Sequence, residues 1–202
     1  MDSNMQRDIR PAVDAGRGND GASARPVVAI SDRLQYKTAW RIRRWASEED
    51  RRANRTYTDE EALRLFGAAQ TTEIQGNLLL NEGINELWSL VCGTGGVKFD
   101  NTNAYLGVGD SSTAAAATQT GLQASTNKLY KAMDATYPTY GTSQLATWKS
   151  TYGSSEANFA WNEFTVANGN SDSADNLNRV VSSQGTKVAG QTWELTLQIT
   201  LS

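Results

Sequence analysis

Residues 192–202, at the end of the chain, read TWELTLQITLS. In an extended backbone successive side chains point to opposite faces. Trp193, Leu195, Leu197, Ile199 and Leu201 therefore share one side, and Thr192, Glu194, Thr196, Gln198, Thr200 and Ser202 share the other. An apolar ladder over a polar one predicts a strand with one face on a core and a Thr-rich face toward water or a neighbour. A terminus tied down in this way closes the sheet that precedes it.

Working back from this strand, the same short period recurs between turn signals. Leu177 to Ser182 reads as a strand, Gly190 precedes the last one, and Asn168 to Asp175 is an Asx-rich turn. In NFAWNEFTV the apolar phase slips between Phe159/Trp161 and Phe164/Val166, as an extra residue in a bulge would cause. Ala146, Trp148 and Tyr152 share a face, Met133, Ala135 and Tyr137 share another within Leu129 to Tyr137, and Ala104 to Gly109 alternates. A small-residue loop from Asp110 to Leu122 separates the last two. Before these strands, Leu80, Ile84, Leu87, Trp88 and Val91 form one stripe of a helix, with Gly93 placed at its C-terminus. The fold class expected is mainly β: a β-sandwich or barrel-like domain over residues 76–202, led in by a helix over 77–92, with one or two N-terminal helices and an extended N-terminal arm. The phase assigns Trp88, Trp148, Trp161 and Trp193 to the core, and Cys92 to a buried helix face.

The first part of the chain differs in kind. Up to Gln75 lie 25 of the 41 charged side chains, and the remainder is rich in Ser, Thr, Asn and Gly. Residues 1–35 have little apolar content beyond Val27 to Ile30, so they are expected to form an extended arm, disordered unless bound. Residues 36–75 are expected to be a charged helical segment, with Ser47-Glu-Glu-Asp as one N-cap and Tyr57 to Glu61 leading a short helix lined by Leu63, Phe66 and Ala69. Within it, Tyr36, Trp40, Arg41, Arg43, Arg44 and Trp45 form a basic, aromatic stretch that could bind a partner. Acidic residues are interleaved with it and no groove-reading motif is present. Both facts favour a solvated segment whose Trp residues pack on the domain over a grip on nucleic acid or an acidic protein surface, and nucleic acid is not the expected partner.

The inventory narrows the chemistry. With no His and one Cys, a Ser-His-Asp triad, a Cys-His pair, zinc sites of mixed or all-Cys ligation and an intrachain disulfide lack their parts. No apolar run is long enough to cross a bilayer and the N-terminus lacks the apolar middle of a signal peptide, so the expectation is a chain neither anchored nor exported by that route. Gly93-Thr-Gly-Gly and Gly107-Val-Gly-Asp-Ser-Ser lack the residues that complete a phosphate-binding loop and read as turns. Asn168 to Asp175 lacks the Gly and distal Glu of a calcium loop. Glu156 and Glu163 are the carboxylates a glycan hydrolase would need. A carbohydrate-binding module with exposed Trp or Tyr is a further alternative. No catalytic, cofactor or metal residue is assigned, and the expectation is a protein that is not an enzyme.

GNLLLNEGINELWSLVCG, NAYLGVGDSSTAAAATQTGL, FAWNEFTVANG, LNRVVSSQGTK and the closing TWELTLQITLS together resemble a family of small structural proteins encoded among the virion genes of tailed bacteriophages. The resemblance rests on Asn81 and Gly83, Gly107 to Leu122, Trp161 and Glu163, Leu177 to Arg179, and Trp193 to Leu201. It covers Gly76 to Ser202, and more loosely the chain from Tyr36. It implies a non-enzymatic virion protein, assembled in the host cytoplasm, that binds the major capsid protein or other virion proteins as a decoration, cement or minor capsid protein. A tail, collar or fibre-attachment role is the alternative. A homo-oligomer, with a trimer at a local threefold, suits such a lattice, and no membrane or cofactor is implied.

Overall fold

The computed structural model describes residues 35–54, 58, 60, 61, 64 and 71–202. The expected arm over 1–35, apart from Gln35, and the helix face of Leu63, Phe66 and Ala69 lie outside these residues. The elements named among the described residues are, in order, β1 (Tyr36–Trp45), α1 (Glu48–Ala53), β2 (Thr71–Gln75), β3 (Leu78–Leu79), α2 (Asn81–Cys92), β4 (Tyr105–Gly109), β5 (Lys128–Ala132), β6 (Thr139–Thr142), β7 (Leu145–Tyr152), β8 (Glu163–Ala167), β9 (Asn178–Val181) and β10 (Thr192–Leu201). They form two five-stranded antiparallel sheets, one ordered β2-β1-β10-β7-β6 and the other β3-β9-β8-β4-β5. The mainly β architecture expected from the sequence is present.

The closing ladder is β10, and Trp193, Leu195, Leu197 and Ile199 are buried along it while Leu201 emerges at its end. It is the middle strand of its sheet, paired with β1 over Tyr36↔Leu201 to Trp45↔Thr192 and with β7 over Trp193↔Tyr152 to Thr200↔Leu145. Both neighbours repeat its alternation. Trp40 and Ile42 on β1, and Trp148 and Tyr152 on β7, join the same core. The second sheet contributes Leu106 and Val108 from β4, Phe164 and Val166 from β8, and Val180 from β9. Trp161 sits edge-on to Tyr152 at 4.7 Å and to Trp193 at 4.8 Å, so three aromatic residues tie the sheets together.

The outer face of β4 and β8 is also buried, beneath the loop that follows β4. Glu163 accepts hydrogen bonds from the backbone N–H groups of Gln123 and Ala124 and pairs with Arg179 at 2.7 Å, both side chains being fully buried. Arg179 in turn donates to the Thr113 carbonyl and the Gln119 side chain. This closeness explains the glycines of Gly107-Val-Gly. A Cβ on Gly109 would lie 2.4 Å from Glu163 Oε1, and one on Gly107 2.7 Å from Thr165 Cγ2. They are strand residues, as the alternation of Ala104 to Gly109 suggested, so the turn reading of Gly107-Val-Gly-Asp-Ser-Ser does not hold for its two glycines.

Several further expectations are corrected. The stretch 36–75 opens and closes with strands, because its alternation Trp40, Ile42 against Arg41, Arg43 satisfies a period of two once β10 lies beside it. The β domain thus begins at Tyr36 and not at Gly76. Ser47 does cap α1, accepting from the Asp50 N–H, and Thr58 and Glu61 form a reciprocal capping box. The strand from Leu129 ends at Ala132 and turns through Thr136, whose φ is 73°. The phase slip near Phe159 is a change from irregular chain to strand at Glu163 and not a bulge inside one. The leading helix starts at Asn81, after two short strands. Trp88 is 62 % exposed and Cys92 is exposed, so neither is core.

Candidate docking site

The leading helix is attached by the side that a helix usually gives to water. Its buried residues are Gly83 and Glu86. Gly83 lies so close to the chain entering β9 that a Cβ there would be 2.3 Å from Leu177 Cα. Glu82 accepts from the Asn176 and Gly121 N–H groups, and Glu86 accepts from the Val97 N–H and from Asn168 Nδ2. At 100° per residue Glu82 and Glu86 lie opposite the apolar stripe. Fixing the acidic side inward turns the stripe outward, and Leu87, Trp88 and Val91 are exposed at 37 %, 62 % and 74 %.

This stripe forms one wall of a groove of about 590 Å³ whose floor is the end of the sandwich interior, including Tyr36, Ile199 and Leu201. These three belong to the core-facing set of β1 and β10. The interior thus runs past the edge of the sheets, between α2 and the β6–β7 hairpin at Gly141 and Gln144. Among the described residues no charged side chain lines the groove. Tyr36, in its lining, has its hydroxyl pushed up to about 12 by burial, partly offset by the hydrogen bond it accepts from Asn178 Nδ2. The arrangement can remove apolar surface from water.

The six partner-binding candidates are divided by the alternation of β1. Trp40 is fully buried, 6.0 Å from Phe164, and cannot reach a partner. Tyr36 lines the groove. Arg44 stacks 4.6 Å over the Trp193 ring and donates to Thr72 Oγ1 and the Gln184 carbonyl, and burial lowers its guanidinium pKa. Arg41 faces outward and pairs with Glu73 at 2.9 Å. Arg43 and Trp45 also face outward, at the far end of the strand, where they line a separate polar recess. One continuous basic patch is therefore absent from these residues, because a strand cannot present consecutive side chains on one face.

Glu156 and Glu163 do not converge either. Glu163 is consumed by Arg179 beneath the β4 loop, whereas Glu156 pairs with Lys131 at 2.6 Å and accepts from the Gly153 N–H. Among the described residues no group of three or more His, Cys, Asp or Glu side chains could hold a metal ion, and no helix is long and apolar enough to cross a membrane. No protein-family model, no curated protein and no solved structure matches the chain.

Sequence reasoning found the apolar stripe of α2 and missed its direction. The available signal was the pairing of Glu82 and Glu86 around Gly83, since a glycine inside a helix marks a close approach.

Proposed function

We propose that the chain is a non-enzymatic structural protein of a tailed-phage virion, held on the capsid lattice as a decoration, cement or minor capsid protein, and that an apolar segment of a neighbouring virion subunit occupies the groove beside α2. The observation that carries this reading is the inverted helix. Leaving a Trp and two aliphatic side chains in water opposes folding of the free protein, and burying them against a partner recovers about 25 cal/mol for each Å² covered. The occupant must be apolar because the groove offers no counter-charge to an ionic group. Gly83 and Leu177, two of the residues that carry the resemblance to phage virion proteins, meet where α2 is held in this orientation. The separated and neutralised carboxylates favour a role in assembly over hydrolysis.

Immunogold microscopy of particles of the phage that encodes the chain tests both parts. Particles carrying the natural protein should be decorated at the head. Substituting Trp88→Glu should leave the purified protein folded, with stability within about 0.5 kcal/mol of the parent as for an exposed site, and should strip label from the particles. Unlabelled natural particles would overturn the virion reading, and undiminished labelling of the variant would overturn docking through α2.

A further inference from the structure

The polar recess holding Arg43 and Trp45 lies at the other end of the same strands, on the opposite face of the first sheet. It is a depression of about 470 Å³, within the range usual for small-ligand sites. It is assembled from β1, α1, the turn after β5, β7 and β10. Trp45 and Tyr137 supply aromatic walls, and Asp134, Lys149, Thr151 and Glu194 supply donors and acceptors. We propose that this recess binds a neutral saccharide, with a pyranose ring seated against Trp45 and its hydroxyls hydrogen-bonded by the charged groups of the floor. The inference is independent of the virion reading.

The charges select this ligand class. Lys149 Nζ lies 3.3 Å from Glu194 and 3.9 Å from Asp134, and Arg51 is held at 2.7 Å by Glu48. Arg43 stands opposite Glu194 in the β1–β10 ladder. With a carboxylate beside each cation, the recess has little net attraction for a phosphate or carboxylate ligand, whose binding needs surplus positive charge. Alternating fixed donors and acceptors instead match vicinal hydroxyls, each of which both donates and accepts. The flat C–H face of a sugar ring suits an indole, whose π face is the negative side of its quadrupole.

The site is also built before any ligand arrives. Asp134 accepts from Thr151 N at 3.0 Å and Thr151 Oγ1 at 2.8 Å, and the Lys149 ammonium lies 4.8 Å over the Tyr137 ring. Thr136 holds its φ of 73° in this wall, a conformation a β-branched residue rarely adopts. Asn54, 7 % exposed, lines the recess with its side-chain oxygen buried and unpartnered while its amide donates to the Asp50 carbonyl. An orphan acceptor at a cavity wall is costly unless something completes it.

The test is an NMR titration of the full chain with methyl glycosides of glucose, galactose, mannose and N-acetylglucosamine and with their β-linked disaccharides, with inorganic phosphate as a parallel arm. At least one saccharide should give saturable shifts of the Trp45 indole N–H and of the backbone of residues 134–137. Substituting Trp45→Ala should weaken that binding at least tenfold, and Trp45→Phe, which keeps an aromatic plane, should restore most of it. Absence of saturable shifts across the panel, shifts centred elsewhere, binding unchanged in both variants, or tighter binding of phosphate would each overturn the proposal.

Discussion

The groove and the recess draw on the same three strands, β1, β10 and β7, and share almost no chemistry. The groove takes core-facing positions such as Tyr36, Ile199 and Trp148, and the recess takes the outward positions Arg43, Glu194 and Thr151. A strand's period of two lets one short sequence write an apolar surface on one face and a polar one on the other. The difference lies in how each surface is finished. In the recess most polar groups already have partners, so a ligand must match a fixed pattern. In the groove the apolar surface is left open, and what it lacks is cover.

If the two are independent, a change that unseats α2 should abolish one and spare the other. Gly83→Ala is the strongest such change, because the added methyl meets the Leu177 backbone, which cannot swing aside as a side chain would. Overpacking of this kind costs about 3 kcal/mol. Urea unfolding should show that loss, and hydrogen exchange should show lost protection confined to α2 and the chain before β9. Loss of saccharide shifts at Trp45 in the same variant would show that the two surfaces are coupled.

On the recess side, Lys149→Met removes the cation standing between Asp134 and Glu194. The two carboxylates then lose the cation between them, and stability should fall by about 1 kcal/mol. The loss should shrink as added salt screens these charges. Thermal melts at low and high ionic strength would check this, and a loss that does not vary with salt would point to packing of the lysine stem instead.

How far these surfaces could be read from the sequence follows from the same geometry. The β10 ladder was legible because its period of two runs unbroken for the whole strand and one face is wholly apolar. β1 carries the same alternation, but Arg44 and Trp45 reverse its phase, and the surrounding charges led to a helical expectation. Periodicity identified which residues of α2 share a face, and it could not say which face is buried, since that depends on Leu177 and Asn176, some ninety residues away. The recess was legible only in fragments. Arg43 and Trp45 were singled out, but Asp134, Lys149 and Glu194 reach them only through the pairings of β10 with β1 and β7.

The smallest expected effect concerns the α1 edge of the recess. Glu48 is held down to about 2, chiefly by its hydrogen bond from Arg51, opposed by burial as the next largest effect, and then by its hydrogen bond from Arg52. Because the folded value lies below the ordinary 4.5, the stabilisation is fully present above about pH 4.5 and is lost as the pH falls through about 2. The carboxylate is about one-third exposed, so solvent screening limits this contribution to roughly 0.5 kcal/mol. Glu48→Gln should therefore be slightly less stable than the parent at neutral pH and indistinguishable from it near pH 2, as measured by paired urea melts. The same variant frees Arg51, which lines the recess, and so gives it the unpaired cation it otherwise lacks. If charge pairing is what makes the recess selective for neutral ligands, Glu48→Gln should raise its affinity for phosphate while leaving the groove unaffected.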